Sequence, residues 1–145
     1  MAATRSASTE WKGDLFTGSG QTTFETSGIG TYDVTWKART EQAEGKTSPE
    51  ELIAAAHASC YSMAFSNILK QAGHTAESIK TTAEVDFDTS DGAQISEIRL
   101  TVRATVPGIS EEDFQSNAQA AKEGCPVSKA LASVPSITLD AALES

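Results

Sequence analysis

Residues 48–71, SPEELIAAAHASCYSMAFSNILKQ, decide how the rest of this chain has to be arranged. Ser48 is a helix cap and Pro49 suits a first turn. No further Gly or Pro interrupts the stretch, which therefore predicts a helix of about six turns. No charged residue stands between Glu51 and Lys70. The apolar residues from Leu52 to Leu69 leave hardly any polar stripe, and a helix that is apolar on most sides is a buried helix. One sheet covers only one of its faces, so the sequence predicts a homodimer whose central helices pack together.

On the N-terminal side, TEWKGDL, QTTFET and YDVTWKA read as short strands of a meander, separated by Gly18-Ser19-Gly20 and Gly28-Ile29-Gly30. In the third, Tyr32, Val34, Trp36 and Ala38 alternate with Asp33, Thr35, Lys37 and Arg39, the period of a half-buried strand. On the C-terminal side, Gly73 ends the helix. SIKTTAEVDFDT and ISEIRLTVRATV then form a hairpin turning near Asp91-Gly92, with Ile98, Leu100, Val102, Ala104 and Val106 facing inward. Ser110-Glu111-Glu112-Asp113 opens a helix to Gly124, Cys125 caps a short segment through Ala132, and SITLDAALE is a last strand. The order is α+β: antiparallel sheet packed on a long buried helix, in one domain spanning residues 1–145.

Eleven Lys and Arg against twenty Asp and Glu give a net charge of -9, which repels polyphosphates and anionic lipid, so neither nucleic acid nor a membrane surface is an expected partner. The N-terminus lacks a secretory apolar run, and no window reads as approaching the roughly 18 apolar residues of a membrane span. The expected location is the cytoplasm.

Two cysteines in such a compartment are seldom a structural disulfide; they are inert, metal-binding or redox-active. A thiol with a pKa of about 8.5 is only slightly ionised at neutral pH, and the thiolate is the nucleophile. Cys125, at a helix start, faces unpaired N–H groups and the positive end of the dipole. Cys60 lies mid-helix, where apolar surroundings by themselves raise its pKa and leave it inert. A bond between the two would close a long loop, worth roughly 4 kcal/mol in the chain-entropy model.

Ser48-Pro49-Glu50-Glu51-Leu52, Ala55-Ala56-His57-Ala58-Ser59-Cys60, Ser62-Met63-Ala64 and Gly124-Cys125-Pro126-Val127-Ser128 together resemble the signatures of the OsmC/Ohr thiol peroxidases, and the Ala-His-Ala and Gly-Cys-Pro-Val-Ser forms resemble the OsmC branch. The resemblance implies an intertwined homodimer that reduces organic hydroperoxides. Cys60 is the attacking thiol, Cys125 resolves its sulfenic acid as a disulfide, and a dithiol, in this family a lipoylated protein, restores both. It also implies an arginine and a glutamate in the site, matched here by Arg39 and Glu50; no cofactor and no metal are expected.

The residues themselves bear on those assignments. With no Lys or Arg near Cys60 in the helix, a cation has to come from another segment, and a planar guanidinium suits a thiolate and a peroxide oxygen. Strand alternation, however, sets Arg39 on the polar side, so its role requires a strand end or a subunit boundary. Glu50 is about 15 Å from Cys60 along the helix, too far to touch it, which leaves it the role of orienting Arg39 in a bidentate pair. Glu51 completes a capping box with Ser48. His57 reads as a satisfied core histidine rather than a base or, with the two cysteines, a zinc ligand. His74 reads as a helix-terminal histidine. Two other functions use the same residues: a dimer that binds a hydrophobic small molecule with inert thiols, and a redox sensor with a protein output.

Overall fold

The computed structural model describes residues 1–144. Contacts gather into two compact units, Met1–Leu52 and Ile53–Ser145.

The first unit is an antiparallel three-stranded meander, β1 Ala7–Lys12, β2 Ser19–Phe24 and β3 Thr31–Val34, followed by a short helix, α1 Trp36–Thr40. The β1–β2 turn is pinned by Asp14, whose carboxylate accepts from the Phe16 and Thr17 N–H groups and the Thr17 hydroxyl. Gly18 is required there, because a Cβ would stand 2.3 Å from the Asp14 carbonyl oxygen.

The third predicted strand is shorter than the alternation implied. Thr35 stops it: extended at φ -144° and ψ 160°, it accepts from the Ala38 N–H at 3.0 Å and caps α1. Arg39 therefore sits on a helix rather than on the polar side of a strand. A one-turn helix is too short for its period to be told from that of a strand.

The long helix, α2 Pro49–Gln71, has the bounds its sequence implied. Ser48 Oγ accepts from the Glu51 N–H at 3.1 Å. Glu51 does not close the reciprocal half of a capping box; its carboxylate takes the Thr47 hydroxyl instead. At the far end Gly73 adopts φ 91°, and the His74 backbone N–H returns to the Leu69 carbonyl at 2.8 Å, a glycine-terminated C-cap. By length and hydropathy α2 does pass the test for a membrane span, contrary to the expectation that no window approaches one. Its inward stripe packs on protein, while its other faces are open in the single chain.

The second unit holds the hairpin β4 Ser78–Asp88 and β5 Gln94–Thr105, helices α3 Glu111–Gly124 and α4 Pro126–Ala130, and β6 Ser136–Glu144. Its sheet runs β4-β5-β6. The α+β class holds, but the sheet is not wholly antiparallel: β4 and β5 are antiparallel, whereas β6 lies parallel to β5. Two helices intervene between β5 and β6, and such a crossover returns the chain to the end where β5 began.

The core sits between this sheet and one stripe of α2. His57, Tyr61, Phe65 and Leu69 recur every four residues, share a face and are all buried. They meet Ile98, Leu100, Val102 and Ala104 of β5 and Phe114, Ala118 and Ala121 of α3. Ring pairs Tyr61–Phe65 and Phe65–Phe114 stand 5.7 and 5.5 Å apart, and Tyr61 donates to the Ala118 carbonyl at 2.9 Å. Ala55, Ala56, Ser59 and Met63 of α2 are exposed in the single chain, so one chain alone buries one stripe and not most sides.

Candidate functional site

Within the first unit, α1 and the opening turn of α2 bring Arg39 and Glu50 together. Arg39 Nε donates to Glu50 Oε1 at 2.9 Å and Oε2 at 3.2 Å, and its terminal Nη2 donates to Oε2 at 2.8 Å. Glu50 is 6% exposed, so the carboxylate is fixed on one side by the fork of the guanidinium and on the other by the positive end of α2. The pair forms inside one chain, and Glu50, not Glu51, makes it. An apolar cavity of about 290 Å³, lined by Thr9, Trp11, Leu15, Trp36 and Leu52, also has Arg39 in its wall.

Within the second unit, α2 and α4 bring the two thiols together. Both are reduced; Cys60 is half-buried and Cys125 is fully buried. Each acts on the acidity of the other, and their environments push them in opposite directions. Burial raises the Cys60 pKa; the Val127 N–H offsets part of this, and the neighbouring Cys125 sulfur adds to the rise. Burial acts the same way on Cys125 but is outweighed by the Ser128 N–H, the Cys60 thiol, the Ser128 hydroxyl and the Val127 N–H, which together hold it below the ordinary thiol value. The backbone reason is position. Cys125 is the N-cap of α4 with Pro126 at N1, so the first free N–H groups of that helix converge near its sulfur, although none completes a side-chain cap bond. Tyr61 lies close by and is pushed up by burial first and by the Cys125 charge second, so it stays neutral.

His57 is engaged as a core histidine on one side only. Its Nε2 lies 2.7 Å from Ser128 Oγ, while Nδ1 is buried without a hydrogen-bond partner among the described residues. Burial lowers its pKa.

Three features of the site were absent from the sequence reading. Thr35, whose cap places Arg39, stands in the alternating stretch that the sequence predicts as a strand; its signal is a cap-type residue followed by Trp36-Lys37-Ala38-Arg39. Ser128 has no sequence signal beyond its place in Gly124-Cys125-Pro126-Val127-Ser128. That Val127 acts on both sulfurs has no sequence signal, since it depends on how α4 docks against α2.

The family model described as OsmC-like protein matches residues 21–140. The chain is 42% identical over 146 residues to "Peroxiredoxin OsmC" of Escherichia coli (strain K12), covering 100% of both. It is 37% identical over 91 residues to "Organic hydroperoxide resistance protein-like" of Staphylococcus aureus (strain USA300), covering 61% of this chain and 65% of that one. A solved OsmC-like protein from Mycoplasma pneumoniae superposes with a TM-score of 0.73 at 18% identity over 100% of both chains, a likeness of fold.

Proposed function

Because the chain belongs to the OsmC-like protein family, we propose that it is a thiol-dependent peroxidase that reduces organic hydroperoxides through Cys60 and Cys125. The names of its relatives, a peroxiredoxin and an organic hydroperoxide resistance protein, support that activity. The observation that carries this reading is that two reduced thiols from distant parts of the chain lie near enough to shift each other's acidity.

Cys60, the more accessible of the two, attacks the terminal peroxide oxygen as a thiolate. An S–O bond forms, the O–O bond breaks, and the alkoxide leaves with a proton as the alcohol, so Cys60 becomes a sulfenic acid. The Cys125 thiolate then attacks that sulfur, and the hydroxyl departs with a proton as water. A dithiol supplies two electrons to reopen the disulfide and is itself oxidised. A lipoylated protein fits that class.

Cys60's own surroundings oppose its ionisation, so its activation calls for a cation. Arg39 takes that role, and Glu50 orients it through the bidentate pair. The apolar cavity beside Arg39 suits the organic group of the hydroperoxide. A homodimer gives the exposed Ala55, Ala56 and Met63 of α2 a partner. A cytoplasmic setting, where thiol buffers act, fits two unbonded cysteines.

Mass spectrometry after one equivalent of cumene hydroperoxide tests this. The parent should lose two hydrogens as a Cys60–Cys125 disulfide, Cys125→Ser should gain one oxygen on Cys60, and Cys60→Ser should stay unchanged. Oxidation of Cys60→Ser at the parental rate, or no disulfide in the parent, would refute the mechanism.

A further inference from the structure

A buried polar chain leads away from the second thiol. His57 Nε2 and Ser128 Oγ are 2.7 Å apart, and the two residues are 0% and 8% exposed. Ser128 is the third residue of α4, whose N-cap is Cys125. Side chains at the cap and third helical positions lie side by side, the geometry on which a capping box depends.

A neutral imidazole holds one proton on one nitrogen. On Nδ1 it would be a buried donor with no acceptor, the rarer and costlier orphan, and Ser128 would have to spend its single hydroxyl proton on Nε2. On Nε2 it donates to Ser128 Oγ, the unpartnered Nδ1 is only a lone pair, and the Ser128 proton is released toward the sulfur. Burial disfavours the charged ring, which keeps this tautomer choice in force.

We propose that His57 is a positioning residue for Cys125: its Nε2–H···Oγ bond turns the Ser128 hydroxyl onto the sulfur, which then holds the Cys125 thiolate ready to react. The inference rests on the peroxidase reading above and deepens its second half. In closure the S–S bond forms as the Cys60 S–O bond breaks, the hydroxyl leaving as water with a proton from solvent. In reopening, a thiolate of the external dithiol attacks the Cys60 sulfur, and the S–S pair of electrons returns to Cys125. Ser128 donates to the sulfur at the start of one step and at the end of the other. A leaving thiolate that is stabilised in advance leaves faster.

The test separates the two chemical steps and includes one readout that needs no peroxide. Sulfenic acid trapping should show Cys60 oxidised no more slowly than in the parent in His57→Leu and Ser128→Ala, while disulfide closure slows about tenfold in each, the loss expected of a hydrogen bond to a charged group. His57→Gln, which keeps an N–H within reach, and Ser128→Thr should restore most of the rate. The double variant should be no slower than the slower single, because both break one chain of bonds. Separately, in a Cys60→Ser background, the ultraviolet absorbance of the Cys125 thiolate at neutral pH should fall with His57→Leu and with Ser128→Ala.

Unchanged closure in Ser128→Ala, additive losses, or equal behaviour of Leu and Gln at position 57 would overturn the proposal. Should the parent form no sulfenic acid, the peroxidase reading falls and the absorbance alone decides: its loss supports the His57–Ser128–Cys125 chain, and its persistence ends it.

Discussion

Cys60 stands within α2, where each nearby N–H is already committed to a carbonyl one turn back; Cys125 stands just before α4, where the first N–H groups have no such partner. The two sulfurs share one small volume, yet burial governs the first and donors govern the second. The contrast teaches that two thiols this near each other can differ in acidity, and the proposed mechanism uses that difference to divide the work between them. The thiol held in readiness is the one proposed to resolve. The one proposed to strike has to borrow its charge, and the Arg39–Glu50 pair is the anchored cation offered for that purpose.

The most severe way to break the contrast is Cys60→Ser, which should lower steady-state hydroperoxide consumption at least about 10³-fold in a dithiol-coupled assay. Cys125→Ser should spare the first turnover and stop the later ones, with Cys60 advancing to the sulfinic acid when excess peroxide is added, visible as a second oxygen by mass. If both variants behaved alike, the division of labour would be wrong.

Glu50→Gln sharpens the other half. It leaves a guanidinium that is 27% exposed without its carboxylate, so we expect about 2 kcal/mol less stability in denaturant titration. It should also slow Cys60 oxidation about tenfold while closure keeps its rate. Thr35→Ala acts one step further back. Loss of the α1 cap should cost about 1 kcal/mol and reduce Cys60 oxidation only a few-fold.

The smallest effect is a pH signature of opposite sign for the two thiols. Cys125 titrates below the unfolded value of 9.0, so its contribution to stability is present above that pH and is lost as pH falls through the lowered native value. Cys60 titrates above 9.0, so its contribution is present below that pH and is lost as pH rises through the raised value. Difference curves of Cys60→Ser and Cys125→Ser against the reduced parent should therefore slope oppositely in unfolding titrations across this range. Parallel curves would erase the distinction.

Much of the fold was legible because its signals are local. The run 48–71 carries its own cap, proline and terminating glycine, and the alternation of Ile98, Leu100, Val102 and Ala104 fixes which face of β5 is buried. The direction of β6 was not legible, since nothing in SITLDAALE records which way the preceding helices return it. The site divided along the same line. Cys125 at a helix start could be read from Gly-Cys-Pro, whereas Arg39 looked misplaced until Thr35 turned a strand into a helix. The tie between His57 and Ser128 joins residues that no sequence period connects.

The parallel pairing of β6 with β5 also bears on when the chemistry becomes available. Chains are made from the N-terminus, so the strand that completes the second sheet leaves the ribosome after both cysteines have emerged. Leu139, Ala141 and Leu143 pack against the core that also holds Cys125, so that core is complete only when this last strand is in place. The two thiols therefore reach their final packed surroundings only once synthesis has passed β6.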